Sequence, residues 1–220
     1  MRSRRPAADV FTATYDLLGR AYLGGPRAVT PDRLPALDAL FAALSEVDPR
    51  WRSSVESLLA GHAADLRRAH SDFVECLATP VTGRYVPPYA SVYLDGGQLW
   101  GPSTFQVLSC YEAEGLAWDR ARPGPGGCPV RAPDHVGVEM AFLSVASGRP
   151  AASRCDTATA RRLGTVLAHA AAWLPLFRDA LRASSTGAGL AGWTAFAAEV
   201  VDADLHRRSA GAAGAAVPLV

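Results

Sequence analysis

No run in this 220-residue chain approaches the roughly 18 uncharged apolar residues that a bilayer span requires. A membrane-spanning helix is therefore not expected, and the chain reads as soluble. An excess of one charge sign is also missing, since the formal net charge is +1. That excludes the acidic composition of disordered chains and the basic composition of general nucleic-acid binders. The only one-signed cluster is Arg2, Arg4 and Arg5. Cysteine is scarce: Cys76, Cys110, Cys128 and Cys155 lie far apart with no C-x-x-C pair, which fits reduced thiols better than a disulfide framework or a zinc site. An even number still leaves a disulfide formally open. No strand pair with a hairpin turn and no internal repeat is visible, and the glycines at 124–127 lack the lysine and preceding strand of a phosphate-binding loop.

What is present is helical spacing. Nearly half the residues are hydrophobic, enough for one core in a chain of this length. Phe11, Tyr15, Leu18 and Tyr22 recur at steps of three and four until Gly24-Gly25-Pro26 stops the run. Thr30-Pro31 predicts the start of a second helix to about Leu44, and a third is expected from Pro49 to Ala78, with Val55, Leu59, Phe73 and Leu77 on its buried stripe. The prolines and glycines between Pro80 and Pro102 exclude a continuous helix. Helices then follow at Ser103 to Gly115 and from Asp134 to about Gly148, separated by a Pro/Gly-rich bridge, Arg120 to Pro133, that reads as mobile. Asp156 or Thr157 is expected to cap a long helix with Leu163, Val166, Leu167, Ala170, Leu174, Phe177 and Leu181 on its core face, kinked at Pro175. A last helix is expected from Leu190 to Leu205. The fold class is thus all-α, a single-domain bundle of about seven to nine helices over residues 1–208, with an unstructured Ala/Gly tail at 209–220.

Two segments stand out. In Val86-Pro87-Pro88-Tyr89-Ala90-Ser91-Val92-Tyr93-Leu94-Asp95, adjacent prolines hold the backbone extended and present Tyr89 and Tyr93 from a rigid platform, either to stack on a ligand or to cover the core. In Pro133-Asp134-His135-Val136-Gly137-Val138-Glu139-Met140-Ala141-Phe142, a proline and an acid precede an apolar helical run. Asp134 can cap the amides of Val136 or Gly137, and His135 and Glu139, four apart, can pair on one face.

Taken together, P-P-aromatic-x-S-V-aromatic and P-D-H-V-x-x-E-[LM]-x-F, in this order and separated by a helix and a bridge, resemble the TorD/DmsD family of redox-enzyme maturation chaperones. Nitrate reductase delta-subunit relatives share the general helical plan. The resemblance covers about Phe73 to Gly148 and departs at Cys76-Leu77-Ala78-Thr79-Pro80, where many relatives read L-F-x-G-P. It implies a cytoplasmic, non-enzymatic chaperone with no cofactor or metal of its own. Its partner would be the twin-arginine leader and catalytic subunit of a molybdopterin oxidoreductase of the DMSO reductase family, with neither nucleic acid binding nor stable membrane insertion. The implied peptide-binding residues are Tyr89, Ser91, Tyr93, Asp134, His135 and Glu139. Their chemistry suits an arginine-bearing peptide, because carboxylates at Asp134 and Glu139 match the guanidinium fork and tyrosine rings offer a cation–π face.

Other classes compete less well. A helical metalloenzyme lacks a second H-x-x-x-E or E-x-x-H to join His135 and Glu139. A nucleophilic enzyme would rest on Cys128 and His135, seven residues apart across the bridge. A DNA-binding regulator would need a recognition helix, and the basic residues are scattered. The opening Ser3-Arg4-Arg5 resembles a twin-arginine signal, but Asp9, Asp16 and Arg20 interrupt the apolar stretch such a signal needs.

Overall fold

The apolar spacing is realised in nine α-helices among the described residues of a computed structural model, which are 8–121, 123, 127–149, 157–184 and 186–215. They are α1 (Ala8–Gly24), α2 (Leu37–Val47), α3 (Pro49–Ala64), α4 (Leu66–Phe73), α5 (Ala90–Leu94), α6 (Pro102–Ala113), α7 (Val136–Gly148), α8 (Thr157–Ala183) and α9 (Ala188–Ala215). No strand occurs among these residues; an isolated antiparallel bridge joins Tyr89 to His135. The fold is all-α, as the periodicity requires. The Arg2, Arg4, Arg5 cluster, Cys155, Asp156 and residues 216–220 lie outside the described residues.

Two seams organise the bundle: α1 lies along α7, and α8 lies along α9. The first seam is close because Gly137 has no side chain; a Cβ there would fall 2.7 Å from Leu23 Cγ and 3.2 Å from the Leu23 nitrogen. The expected stripes of α1 and α8 are buried throughout, and they meet at Tyr22 and Phe177, whose ring centroids lie 6.4 Å apart. The two buried tyrosine hydroxyls of α1 find partners across the seam to α9: Tyr15 donates to Asp204 at 3.3 Å, and the Tyr22 and Thr194 hydroxyls lie 2.8 Å apart.

Several boundaries differ from expectation, each for a local reason. Thr30 makes no side-chain cap, and Pro31–Arg33 forms only a 3₁₀ turn. Pro35 disfavours helical geometry at Leu34, so α2 begins at Leu37. The helix expected from Pro49 to Ala78 breaks at Asp65. Its backbone leaves the helical region (φ −148°, ψ 79°) and its carboxylate accepts the Arg68 amide at 2.9 Å, starting α4 afresh. Residues Val74–Ala78 then close in a π-turn. A short helix, α5, sits inside the segment expected to be non-helical. α9 continues past Leu205 to Ala215; Arg207 and Arg208 both reach back to the buried carboxylate of Asp204 at three- and four-residue spacing, which favours continued helix.

Candidate functional site

The two distinctive segments meet and interlock. Pro87 and Pro88 keep the strand-like approach to α5 extended, so the Pro88 carbonyl is free to accept the Val136 amide at 2.9 Å. In return the Asp134 carbonyl accepts the Ala90 amide at 3.0 Å. These two bonds form the bridge between Tyr89 and His135. The Asp134 side chain continues it: Oδ2 accepts the Ser91 amide at 2.7 Å. Asp134 therefore satisfies the start of α5 and not the start of its own helix. That role falls to His135, whose Nδ1 accepts the Gly137 amide at 3.0 Å and caps α7.

The tyrosines belong to the same clasp. The Tyr89 ring stands edge-on to His135, centroids 5.2 Å apart, while its hydroxyl donates to the Pro129 carbonyl at 3.0 Å and accepts the Arg131 amide at 3.1 Å. One side chain thereby ties the bridge segment to the loop. Tyr93 donates to the Pro87 carbonyl at 2.9 Å and stacks on Trp173 of α8, centroids 5.8 Å apart.

Glu139 does not pair with His135, because that ring is already engaged at both nitrogens. Its Oε1 lies 3.1 Å from His169 Nδ1 of α8, close enough for an ion pair but not aligned as a hydrogen bond. Its Oε2 accepts the Trp173 indole N–H at 3.2 Å. Burial raises the Glu139 carboxyl pKa, and the opposing pull of His169 and Trp173 does not cancel it. At His169 burial acts downward, but Glu139, with Asp134 and Asp95 behind it, prevails and the pKa is raised. Around these groups Ser91 Oγ, Thr104 Oγ1, Tyr111 OH and Asp134 Oδ1 are buried without a hydrogen-bond partner among the described residues.

His135 Nε2 lies 3.3 Å from Cys128 Sγ, so the structure does bring this pair together. Since Nδ1 accepts from Gly137, Nε2 carries the hydrogen and donates it to sulfur. The thiol in turn donates to the Leu77 carbonyl at 3.1 Å. Burial pushes the Cys128 thiol up to about 12 and the His135 imidazole down to about 3. The pair is a neutral thiol beside a neutral imidazole, both shielded from solvent, and lacks the thiolate that nucleophilic chemistry uses.

Of the six expected site residues, Tyr89, Ser91, Asp134 and His135 converge directly, while Tyr93 and Glu139 meet Trp173 one layer below. All except the half-buried Tyr93 are fully enclosed, so they form the interior of a clasp and not the wall of an open groove. The sequence reading missed His169 and Trp173, which lie 30 or more residues from Glu139 and carry no local signal. It also missed Glu114. That buried carboxylate receives Arg149, Arg162 at 2.5 Å and the Thr159 hydroxyl at 3.1 Å, joining the end of α6 to the exit of α7 and the first turns of α8. No group of three His, Cys, Asp or Glu side chains suited to a metal ion occurs among the described residues, and none of their helices is long and apolar enough to cross a membrane.

The family model described as nitrate reductase delta subunit matches residues 36–179, from just before α2 into α8, with both halves of the clasp inside it. The chain belongs to the nitrate reductase delta subunit family. That membership places it among the maturation chaperones of molybdenum-containing redox enzymes, the class its two motifs resemble. Among solved structures, one described as a candidate redox enzyme maturation protein from Archaeoglobus fulgidus is 15% identical over 89% of this chain and 95% of that one, with a TM-score of 0.40. A comparison with curated proteins finds no match.

Proposed function

We propose that this delta-subunit family member is a cytoplasmic, non-catalytic chaperone that binds the twin-arginine leader of a molybdopterin oxidoreductase of the DMSO reductase family. It holds the leader until the cofactor is in place and export can begin. Family membership across both clasp segments is the observation that carries this reading. The clasp gives it a chemical basis. Glu139 meets the Trp173 indole, and both it and Asp134 act on the Tyr111 phenol, so the carboxylates stand among aromatic rings, the surroundings a guanidinium prefers. With Tyr89, Ser91, Tyr93 and His135 they form the candidate peptide site, which a leader reaches only when residues 86–95 part from 128–139.

Calorimetric titration of the full chain with a synthetic leader peptide, two arginines followed by an apolar stretch, tests the reading. Saturable binding that weakens when both arginines become glutamine is the expected outcome. Affinity capture from the native cell should also retain a molybdopterin oxidoreductase catalytic subunit with its leader attached. A chain that binds neither the peptide nor such a subunit is not this kind of chaperone.

A further inference from the structure

Among the described residues, a group of large apolar side chains faces solvent from the end of α5 into α6. Leu94, Leu99, Trp100 and Phe105 are each more than a third exposed, Phe105 at 55%. Trp100 lies 6.1 Å from Phe105 and 5.8 Å from Trp118, centroid to centroid, so three aromatic rings form one cluster. Contiguous exposed aromatics of this kind mark interaction surfaces, whereas single exposed apolar side chains do not.

The backbone holds Trp100 there at a cost. Its φ is +63°, and it is the one non-glycine residue in the left-handed region among those described. A bulky residue is strained in that conformation. The strain is imposed from below: Asp95 Oδ2 accepts the Ser103 amide at 3.0 Å and the Ser103 hydroxyl at 2.5 Å, closing the turn. Gly101 is pressed so near that a Cβ there would collide with Asp95 Oδ2. A glycine at 100 would relieve the strain, yet the chain carries tryptophan.

Charge selects the occupant. Between Arg84 and Arg120 there is no Lys, Arg or His, although the chain has 22 Lys and Arg residues in all. The acids in that interval include Glu112 and Asp119, both exposed and without an ion-pair partner among the described residues. Glu112 lies two turns along α6 from Phe105, hence on the same face, and Asp119 follows Trp118 directly. By contrast, the cavity of about 300 Å³ between α1 and α7 is lined by Arg27 and Arg33 beside the Arg20–Asp16 ion pair, an excess of positive charge that disfavours an arginine-bearing peptide.

The geometry points to the Leu94–Leu99–Trp100–Phe105 face as the docking surface for the apolar stretch of the leader while the clasp is closed, with Glu112 and Asp119 receiving its arginines in that state, before Asp134 and Glu139 become accessible. This rests on the proposed leader-binding function and gives the peptide a landing site that needs no opening of the clasp. The occupant is an apolar segment preceded by paired arginines, and an acid-flanked aromatic face matches it in both parts.

The test uses the full chain and a fluorescein-labelled peptide of two arginines followed by an apolar stretch, read by anisotropy. Trp100→Gly should lower affinity about ten-fold, the value of one buried aromatic anchor, while its melting temperature stays level or rises as the strain is released. Phe105→Ala should weaken binding similarly. The double variant Glu112→Gln, Asp119→Asn should weaken the arginine peptide and leave a glutamine-substituted peptide unaffected. Wild-type affinity in all three variants overturns the placement alone, with leader binding intact. No peptide binding by the wild-type chain overturns the leader-binding reading, and the placement with it.

Discussion

Asp134 closes on the Ser91 amide at 2.7 Å across 43 residues of sequence, so a carboxylate positioned at the start of one helix satisfies the start of another. The same backbone supplies the Asp134 carbonyl to Ala90. Asp134→Asn keeps an acceptor in place and should cost under about 1 kcal/mol, whereas Asp134→Ala strands a buried amide and should cost about 1–3 kcal/mol. Urea denaturation of the two variants checks this. Equal losses would show that the charge, and not the acceptor, holds the clasp.

His135 gives the fold a pH dependence of defined sign. Its folded pKa of about 3 lies well below the ordinary value of 6.5. The unfolded chain therefore takes up a proton near pH 6.5 that the folded chain refuses until about pH 3. Stability contributed by this group is complete above 6.5 and is lost progressively down to about 3. His62 and His70, also lowered by burial, act in the same direction, while the raised His169 acts oppositely, losing its share as pH rises above 6.5. His135→Asn can still cap α7 but cannot protonate in this range. Its melting temperature should fall less steeply than wild type between about pH 7 and about pH 5, a span that contains the ordinary imidazole pKa. Parallel slopes would remove His135 as a source of acid sensitivity.

Two glycines in helices should respond oppositely to alanine. Gly164 in α8 has nothing within 4 Å of the position a methyl group would take, so Gly164→Ala should stabilise by about 0.5–1 kcal/mol through helix propensity. Gly137 in α7 faces Leu23 at 2.7 Å from such a methyl, so Gly137→Ala should destabilise by about 1–3 kcal/mol despite the same propensity gain. Thermal unfolding of both variants provides the comparison.

Glu114 should matter more than its turn-like surroundings suggest. Glu114→Gln leaves Arg149 and Arg162, which are 30% and 25% exposed, without their shared counter-charge. Breaking a fully buried pair costs about 3–5 kcal/mol; with the arginines partly solvated, a loss of about 1–3 kcal/mol is expected. Denaturation at low and high salt measures it. The loss should persist in high salt, because the carboxylate itself is shielded from ions.

The core stripes were legible in the sequence because helical periodicity is a local property. Phe11, Tyr15, Leu18 and Tyr22 announce their buried face by spacing alone, as do Leu163 through Leu181 on α8. The caps were not legible. Asp134 and His135 are both competent, and only the Pro88 carbonyl, brought in from another segment, determines which of them serves α7. The break at Asp65 shows the same competition within a run whose apolar spacing continues unbroken. The two motifs identified the residues that would meet but not the depth at which they meet. Exposure depends on what α8 lays over them, and His169 and Trp173 leave no trace in the neighbourhood of Glu139.

The buried polar groups beside Glu139 bind the history of this sequence as well as its fold. Tyr111 is influenced by both Glu139 and Asp134, and His169 by Glu139, Asp134 and Asp95. Removing any one leaves its neighbours with charge or hydrogen-bonding capacity that nothing else answers. Substitutions in this set are therefore strongly non-additive: a change that is harmful alone becomes tolerable once a second has removed the group it stranded. Exchange of these side chains proceeds in pairs or larger steps, while the apolar stripes around them remain open to single conservative replacements.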